Sequence, residues 1–157
     1  MNQSQDNRRV DHSALRTNQA LIIGLLIVGF VLDVPLLVAF VCAVMLVGTA
    51  LPQAGLFKAL YAYGLKPAGI VKPDVRLDNP EPHLFAQGVG GAVLLIASLA
   101  FLAGIPALGW GLALVVVALA ALNLFAGVCV GCLMYYQFNR LGVPGFARAP
   151  ISPSGER

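Results

Sequence analysis

The sequence predicts an all-α membrane protein with four transmembrane helices arranged as two helical hairpins. Three observations carry that prediction. Hydrophobic residues make up 59% of the 157 positions and charged residues only 11%, against about 25% charged in a soluble domain. The shortage is segregated: Asp33 is the single charge between Gln19 and Leu51, and none falls between Leu84 and Phe138. Finally, threading the apolar runs as four spans puts every Lys and Arg on one side. Hydrocarbon offers no partners to backbone N–H and C=O groups, so each run must be helical. The apolar–polar alternation of a membrane β-barrel is missing.

Residues 1–14 form a polar tail. Arg8-Arg9 ahead of an apolar run could open a twin-arginine or secretory leader. However, Asp11 and His12 follow at once and no small-x-small site ends the run, so the segment is expected to be retained. Residues 15–141 form the membrane domain, beginning with a helix at about 15–32. Asp33-Val34-Pro35 punctuates, and a second helix follows at about 36–51, closed by Pro52. Taken as one helix, Gln19–Leu51 would be about 50 Å long, too much for a hydrocarbon core of about 30 Å. Charge decides the same way. Four spans put Arg8, Arg9, Arg16, Lys58, Lys66, Lys72, Arg76, Arg140, Arg148 and Arg157 together, whereas three spans divide these ten bases three against seven.

Residues 52–83 are expected to lie at the cytoplasmic interface, where Phe57, Tyr61 and Tyr63 sit among the lysines. A third helix is predicted at about 84–104, Ile105-Pro106 turns, and a fourth runs over about 107–138. Residues 142–157, with Pro144, Pro150 and Pro153, form an irregular tail. Each helix pair starts near a glutamine (Gln19, Gln87) and turns at a proline (Pro35, Pro106), a pattern consistent with an internal two-helix repeat. Both termini are thus expected in the cytoplasm.

The candidate chemistry is concentrated in Phe125–Tyr135. Cys129 and Cys132 are three apart, a spacing that suits disulfide closure, exchange with a partner thiol or soft-metal ligation. Two readings of the pair stand side by side. Cysteine is also a small core hydrophobe, and Gly127 and Gly131 make a small-xxx-small strip suited to helix packing. On a continuous fourth helix the pair sits near a C-terminal end, whose dipole opposes a thiolate. An activated thiol would require the glycines to break the helix, or a cation from the middle loop. No metal site is expected, because a closed zinc site takes four ligands and the pair has no second cluster beside it. Asn123 is the polar side chain inside the fourth helix, where it serves as interhelical glue or as part of a site. Cys42 reads as core, Asp33 as a solvated or capping residue, and His12 and His83 as ordinary membrane-flanking residues. The pI near 9.0 reflects bases scattered beside the spans rather than a nucleic-acid module.

Three segments carry a resemblance. The first holds Asp11, Arg16, Asn18 and Gln19; the second runs from Leu77 to Gln87 and ends Phe-Ala-Gln; the third is Leu122-Asn123 followed by the G-x-C-x-G-C-x-x-Y pattern of Gly127–Tyr135. Over residues 10–141 the chain resembles the bacterial membrane family known as domain of unknown function 4395. Relatives are associated with thioredoxin-like and rhodanese-type sulfurtransferase proteins. The resemblance therefore implies a thiol–disulfide or sulfur-handling protein of the bacterial inner membrane, with Cys129 and Cys132 as the redox pair and Asn123, Arg76, Asp78 and Gln87 shaping the site. No cofactor is predicted, with quinone and haem undetermined. A non-catalytic subunit of a larger membrane complex or homo-oligomer is the rival reading, and a small-solute transporter a third.

Overall fold

A computed structural model describes residues 9–51, 63, 75–77 and 80–145. Among these, β1 (Arg9–Asp11) leads into α1 (His12–Val31) and α2 (Pro35–Ala50); β2 (Val75–Leu77) precedes α3 (Pro80–Leu102), α4 (Pro106–Ala126) and α5 (Val130–Arg140). Helix α1 packs on α2 and α4, and α3 packs on the same two, closing a four-helix ring with α5 resting against α3. The strands pair antiparallel with Val10 opposite Arg76, which ties the start of α1 to the approach to α3.

The helices turn their apolar residues outward as well as inward. Ile22 and Leu26 of α1, Val38, Val41 and Met45 of α2, Leu94 and Ala97 of α3, and Trp110, Ala113 and Val116 of α4 make a narrow core. Ile27, Phe40, Ile96, Leu99 and Val115 are exposed. Among the described residues three helices, α1, α3 and α4, are long and apolar enough to cross a membrane, and only 17%, 22% and 22% of their apolar windows is buried. Faces so apolar on the outside suit lipid as solvent. The 16-residue α2 is apolar but shorter. Small residues let it approach α3: a Cβ on Gly90 would lie 2.7 Å from Met45 Cε and one on Gly91 2.8 Å from Leu46 Cδ2. Cys42, expected in the core, is buried there, and its Sγ donates to Gly91 O at 3.4 Å.

A single stop signal is used three times. At the end of α1, Asp33 has φ 51°, and the N–H groups of Asp33 and Val34 donate to Phe30 O (3.3 Å) and Gly29 O (2.8 Å). At the end of α3, Gly104 has φ 76°, and Gly104 and Ile105 donate to Phe101 O (3.1 Å) and Ala100 O (2.9 Å). At the end of α5, Gly142 has φ 71°, and Gly142 and Val143 donate to Asn139 O (3.0 Å) and Phe138 O (3.1 Å). Each is a Schellman motif, with a left-handed residue followed by a β-branched residue and a proline that cannot continue the helix.

The first two turns meet at Trp110. Its ring stands edge-on to Phe30 (5.5 Å between centroids) and Phe101 (4.9 Å), and its Nε1–H donates to Asp33 Oδ1 at 3.0 Å. Asp33 is therefore more than a solvated turn residue.

The structure corrects two helix bounds. The third helix begins at Pro80 rather than near Leu84, because Pro80 and Pro82 fall in the first turn, where a missing N–H is harmless. The fourth apolar run is not one helix to 138 but two, α4 and α5, with residues 127–129 between them. Most of the expected interfacial loop (52–62, 64–74 and 78–79) and the tail from 146 onward lie outside the described residues.

Asp33 can be tested by thermal unfolding of the purified protein in detergent. Asp33→Gly keeps the left-handed conformation and loses the bond to Trp110, whereas Asp33→Ala loses both. Both should lower Tm, and the alanine variant should lose about 1 kcal/mol more stability than the glycine variant. An alanine variant as stable as the glycine one would contradict this account of the turn.

Candidate functional site

Helix α4 ends after 21 residues, about 32 Å at 1.5 Å per residue. Gly127 then takes φ 67°, and its N–H donates to Asn123 O at 3.1 Å. This is the one-bond left-handed cap, with no proline behind it, so the chain is able to restart. Cys129 is extended (φ −89°, ψ 102°) and caps α5, its Sγ accepting from the Cys132 N–H at 3.3 Å. A serine-like side chain at the N-cap bonding the third amide is the usual geometry of a helix start. The expectation of Cys129 near a helix C-terminus is thus reversed: the dipole of α5 now favours a thiolate at this position.

The two glycines of the motif do different things. A Cβ on Gly127 would meet nothing within 4 Å, so its contribution is the left-handed conformation and not close packing. A Cβ on Gly131 would lie 2.5 Å from Ala86 Cβ and 2.7 Å from Ala86 Cα. Helix α5 can lie against α3 only because that side chain is missing. Phe85 of α3 holds the same contact, edge-on to Tyr135 (5.9 Å) and Phe138 (6.2 Å).

The early start of α3 places His83 in its first turn, and this brings it to the thiols. His83 Nδ1 lies 3.6 Å from Cys132 Sγ, and the His12 ring, from the first residue of α1, stands edge-on to it at 6.1 Å. Cys129 is half-buried and Cys132 buried; all three cysteines carry thiols. The Cys129 thiol is pulled from its ordinary value down to about 5. A hydrogen bond from the Cys132 side chain is the main cause; burial opposes it, and a hydrogen bond from His83, the Cys132 N–H and the charge of His83 help. Such a thiol is ionised and nucleophilic at neutral pH.

Two cavities meet at Cys129. An outer cleft of about 390 Å³ is bordered by His12, Arg16, His83, Cys132 and Tyr136. An inner chamber of about 140 Å³ runs into the bundle between Ile22, Val93, Val116 and Leu119. Leu15, Gln19, His83, Asn123 and Cys129 line both. Asn123 and Gln87 are thus in the neighbourhood of the pair, although Gln87 Nε2 donates to Met45 O at 3.0 Å and so also ties α3 to α2. Asp78 lies outside the described residues; Arg76 is in β2, where only its backbone pairing is described. Sequence reasoning missed His12, Arg16 and His83 as members of the site. Asn79-Pro80-Glu81 was the available signal for His83, since it reads as a helix start that would move the histidine into a first turn.

One ring nitrogen of His83 and the sulfurs of Cys129 and Cys132 all lie within 4.8 Å of one another. This trio has the donor chemistry for a thiophilic ion with one position left open. A closed zinc site needs a fourth donor, and no larger His/Cys/Asp/Glu group forms there among the described residues.

Comparison with known proteins adds one match. The family model described as "Domain of unknown function (DUF4395)" covers residues 10–140. No match was found among the curated proteins or the solved structures. The three sequence segments that carried the resemblance, far apart along the chain, meet around Cys129.

Alkylation of Cys129 by iodoacetamide should follow its thiolate fraction. The rate should be level from about pH 7 upward and fall as pH drops through the thiol's value of about 5. Cys132→Ala, which removes the main stabilising hydrogen bond, should move the midpoint up furthest, and His83→Ala should move it less. Gly127→Ala should also raise it, by straining the residue whose left-handed turn lets α5 restart. Mass spectrometry resolves Cys129 from the other thiols. An unchanged midpoint in Cys132→Ala would refute this electrostatic account.

Proposed function

The chain belongs to the family described as "Domain of unknown function (DUF4395)", and from that premise we propose that it is a membrane-embedded dithiol–disulfide exchanger. The observation that carries the reading is Cys129 at the N-cap of α5, hydrogen-bonded by Cys132 and lowered to about 5 beside His83. A cysteine used only for packing needs neither a helix N-terminus nor a histidine partner.

In this proposal α1, α2, α3 and α4 all cross the bacterial inner membrane, the 16-residue α2 by tilt and local thinning. The basic residues, and with them both termini and the dithiol, face the cytoplasm. The Cys129 thiolate attacks a partner disulfide, forming a mixed disulfide as one partner thiolate leaves. Cys132, 3.6 Å from His83 Nδ1, gives its proton to the partner thiolate that has left, and its own thiolate attacks Cys129 Sγ. The Cys129–Cys132 bond forms and the second partner thiolate is released. Two electrons have moved from this chain to the partner, and the same steps in reverse reduce the chain. A thioredoxin-like or rhodanese-type protein is the partner class, since its reactive sulfur is exposed and suits an outer cleft bordered by Arg16 and two histidines.

Cys132→Ser should trap the mixed disulfide, because the resolving thiol is gone, while Cys129→Ser should trap none. Non-reducing electrophoresis of membranes, with a reductant-treated control, reads the difference. If neither variant forms an adduct and maleimide finds both thiols reduced under all conditions, the exchange reading fails and a packing role is left.

A further inference from the structure

Resting on the dithiol reading, we propose that the inner chamber binds the ring of a lipid-soluble quinone, which takes the electrons of the Cys129–Cys132 pair. Size is the first argument. The chamber measures about 140 Å³, and an engineered apolar cavity of about 150 Å³ is known to hold benzene. One six-membered ring therefore fits, and a sterol or a folded acyl chain does not.

Lining chemistry is the second argument. Ile22, Val93, Val116 and Leu119 supply apolar walls, while the amide side chains of Gln19 and Asn123 stand where the chamber joins the outer cleft. A flat ring carrying two carbonyl oxygens matches this: apolar faces for the walls and acceptors for amide N–H groups. Cys129 lines the same space, so the ring would sit beside the sulfur that must be oxidised.

Access is the third. Leu119 and Met134, both on the chamber wall, are 42% and 41% exposed on α4 and α5. These outward, apolar side chains make the gap between α4 and α5 the entry that the proposal assigns to a ligand arriving from the membrane. A ligand dissolved in the bilayer enters there, with its isoprenoid tail left among the lipids.

The electron balance closes. The Cys129 thiolate and the Cys132 thiol form one S–S bond and release two electrons, which convert the quinone's two C=O groups to C–OH. One proton comes from Cys132 and one from water through the outer cleft. This fixes the direction of flow: partner dithiols reduce the Cys129–Cys132 disulfide, and the quinone reoxidises the pair.

The test uses reduced full-length protein in lipid nanodiscs carrying decylubiquinone, whose substituted ring resists addition of thiols. Quinol is followed by ultraviolet absorbance and the thiols by maleimide gel shift. The expected result is one quinol per Cys129–Cys132 disulfide. Ala120→Phe, which places a ring in the chamber from its α4 wall, should slow the quinone reaction at least about tenfold. Its oxidation by water-soluble hydroxyethyl disulfide should stay within about twofold of wild type, which shows that the variant is folded; Ala120→Leu serves if the phenylalanine variant fails that control. If hydroxyethyl disulfide oxidises the pair and the quinone does not, the inference is overturned and the exchange reading stands. The same holds if chamber-filling variants that pass the control keep the full quinone rate. If neither oxidant changes the thiols, the exchange reading itself falls.

Discussion

One residue in a left-handed conformation, Gly127 at φ 67°, organises the site. The N-cap position of Cys129 follows from α4 stopping there and α5 starting three residues later. Had the helix run on, Cys129 would be an interior residue with its amide bonded in the ladder and its thiol against apolar neighbours. The interruption gives it an N-cap position, the Cys132 N–H as donor and the positive end of a helix dipole. Breaking a helix inside hydrocarbon would strand backbone groups at a cost of several kcal/mol each. The break is tolerable at this point because α4 has already run about the thickness of the hydrocarbon core.

The ring of helices adds a second layer of electrostatics. Helices α1, α3 and α5 all contribute residues from their N-terminal ends to the one site: His12, His83 and Cys129. The N-terminal ends of three helices, each the positive end of a helix dipole, therefore lie beside the sulfurs. Arg16 at the cleft adds a full charge. Such a field favours anionic sulfur, whether thiolate or the sulfur of an incoming partner. The β1–β2 pairing fixes the approaches to α1 and α3 side by side, which keeps the two histidines together.

The opposite end of the bundle is held by different means. Trp110 wedges between Phe30 and Phe101, equivalent positions in the two turns, while Asp33 takes its N–H. The left-handed, β-branched, proline stop that ends α1 and α3 also ends α5. Trp110 breaks the symmetry, since the corresponding position after the first turn is Ala39. A rigid closed end and a cleft-bearing end are what a bundle needs if chemistry is confined to one face.

The sequence alone determined the helical class and the positions of the tight turns, because hydrocarbon forces apolar runs into helices and proline after a β-branched residue stops them. It also singled out Cys129 and Cys132 by their spacing and Asn123 as a polar side chain within an apolar run. It did not reveal the break at Gly127. Gly24, Gly90 and Gly111 stay helical, so a glycine without a following proline does not by itself mark a helix end. A length argument was nonetheless available: 107–138 as one helix would be about 48 Å, well beyond the hydrocarbon core. Tertiary structure decided which glycine stops the helix and which packs, because that depends on the approach of α5 to Ala86 and Phe85 of α3. It likewise decided that His12, Arg16 and His83 belong to the thiol site, since residues about fifty to 120 positions apart become neighbours only when the ring of helices closes.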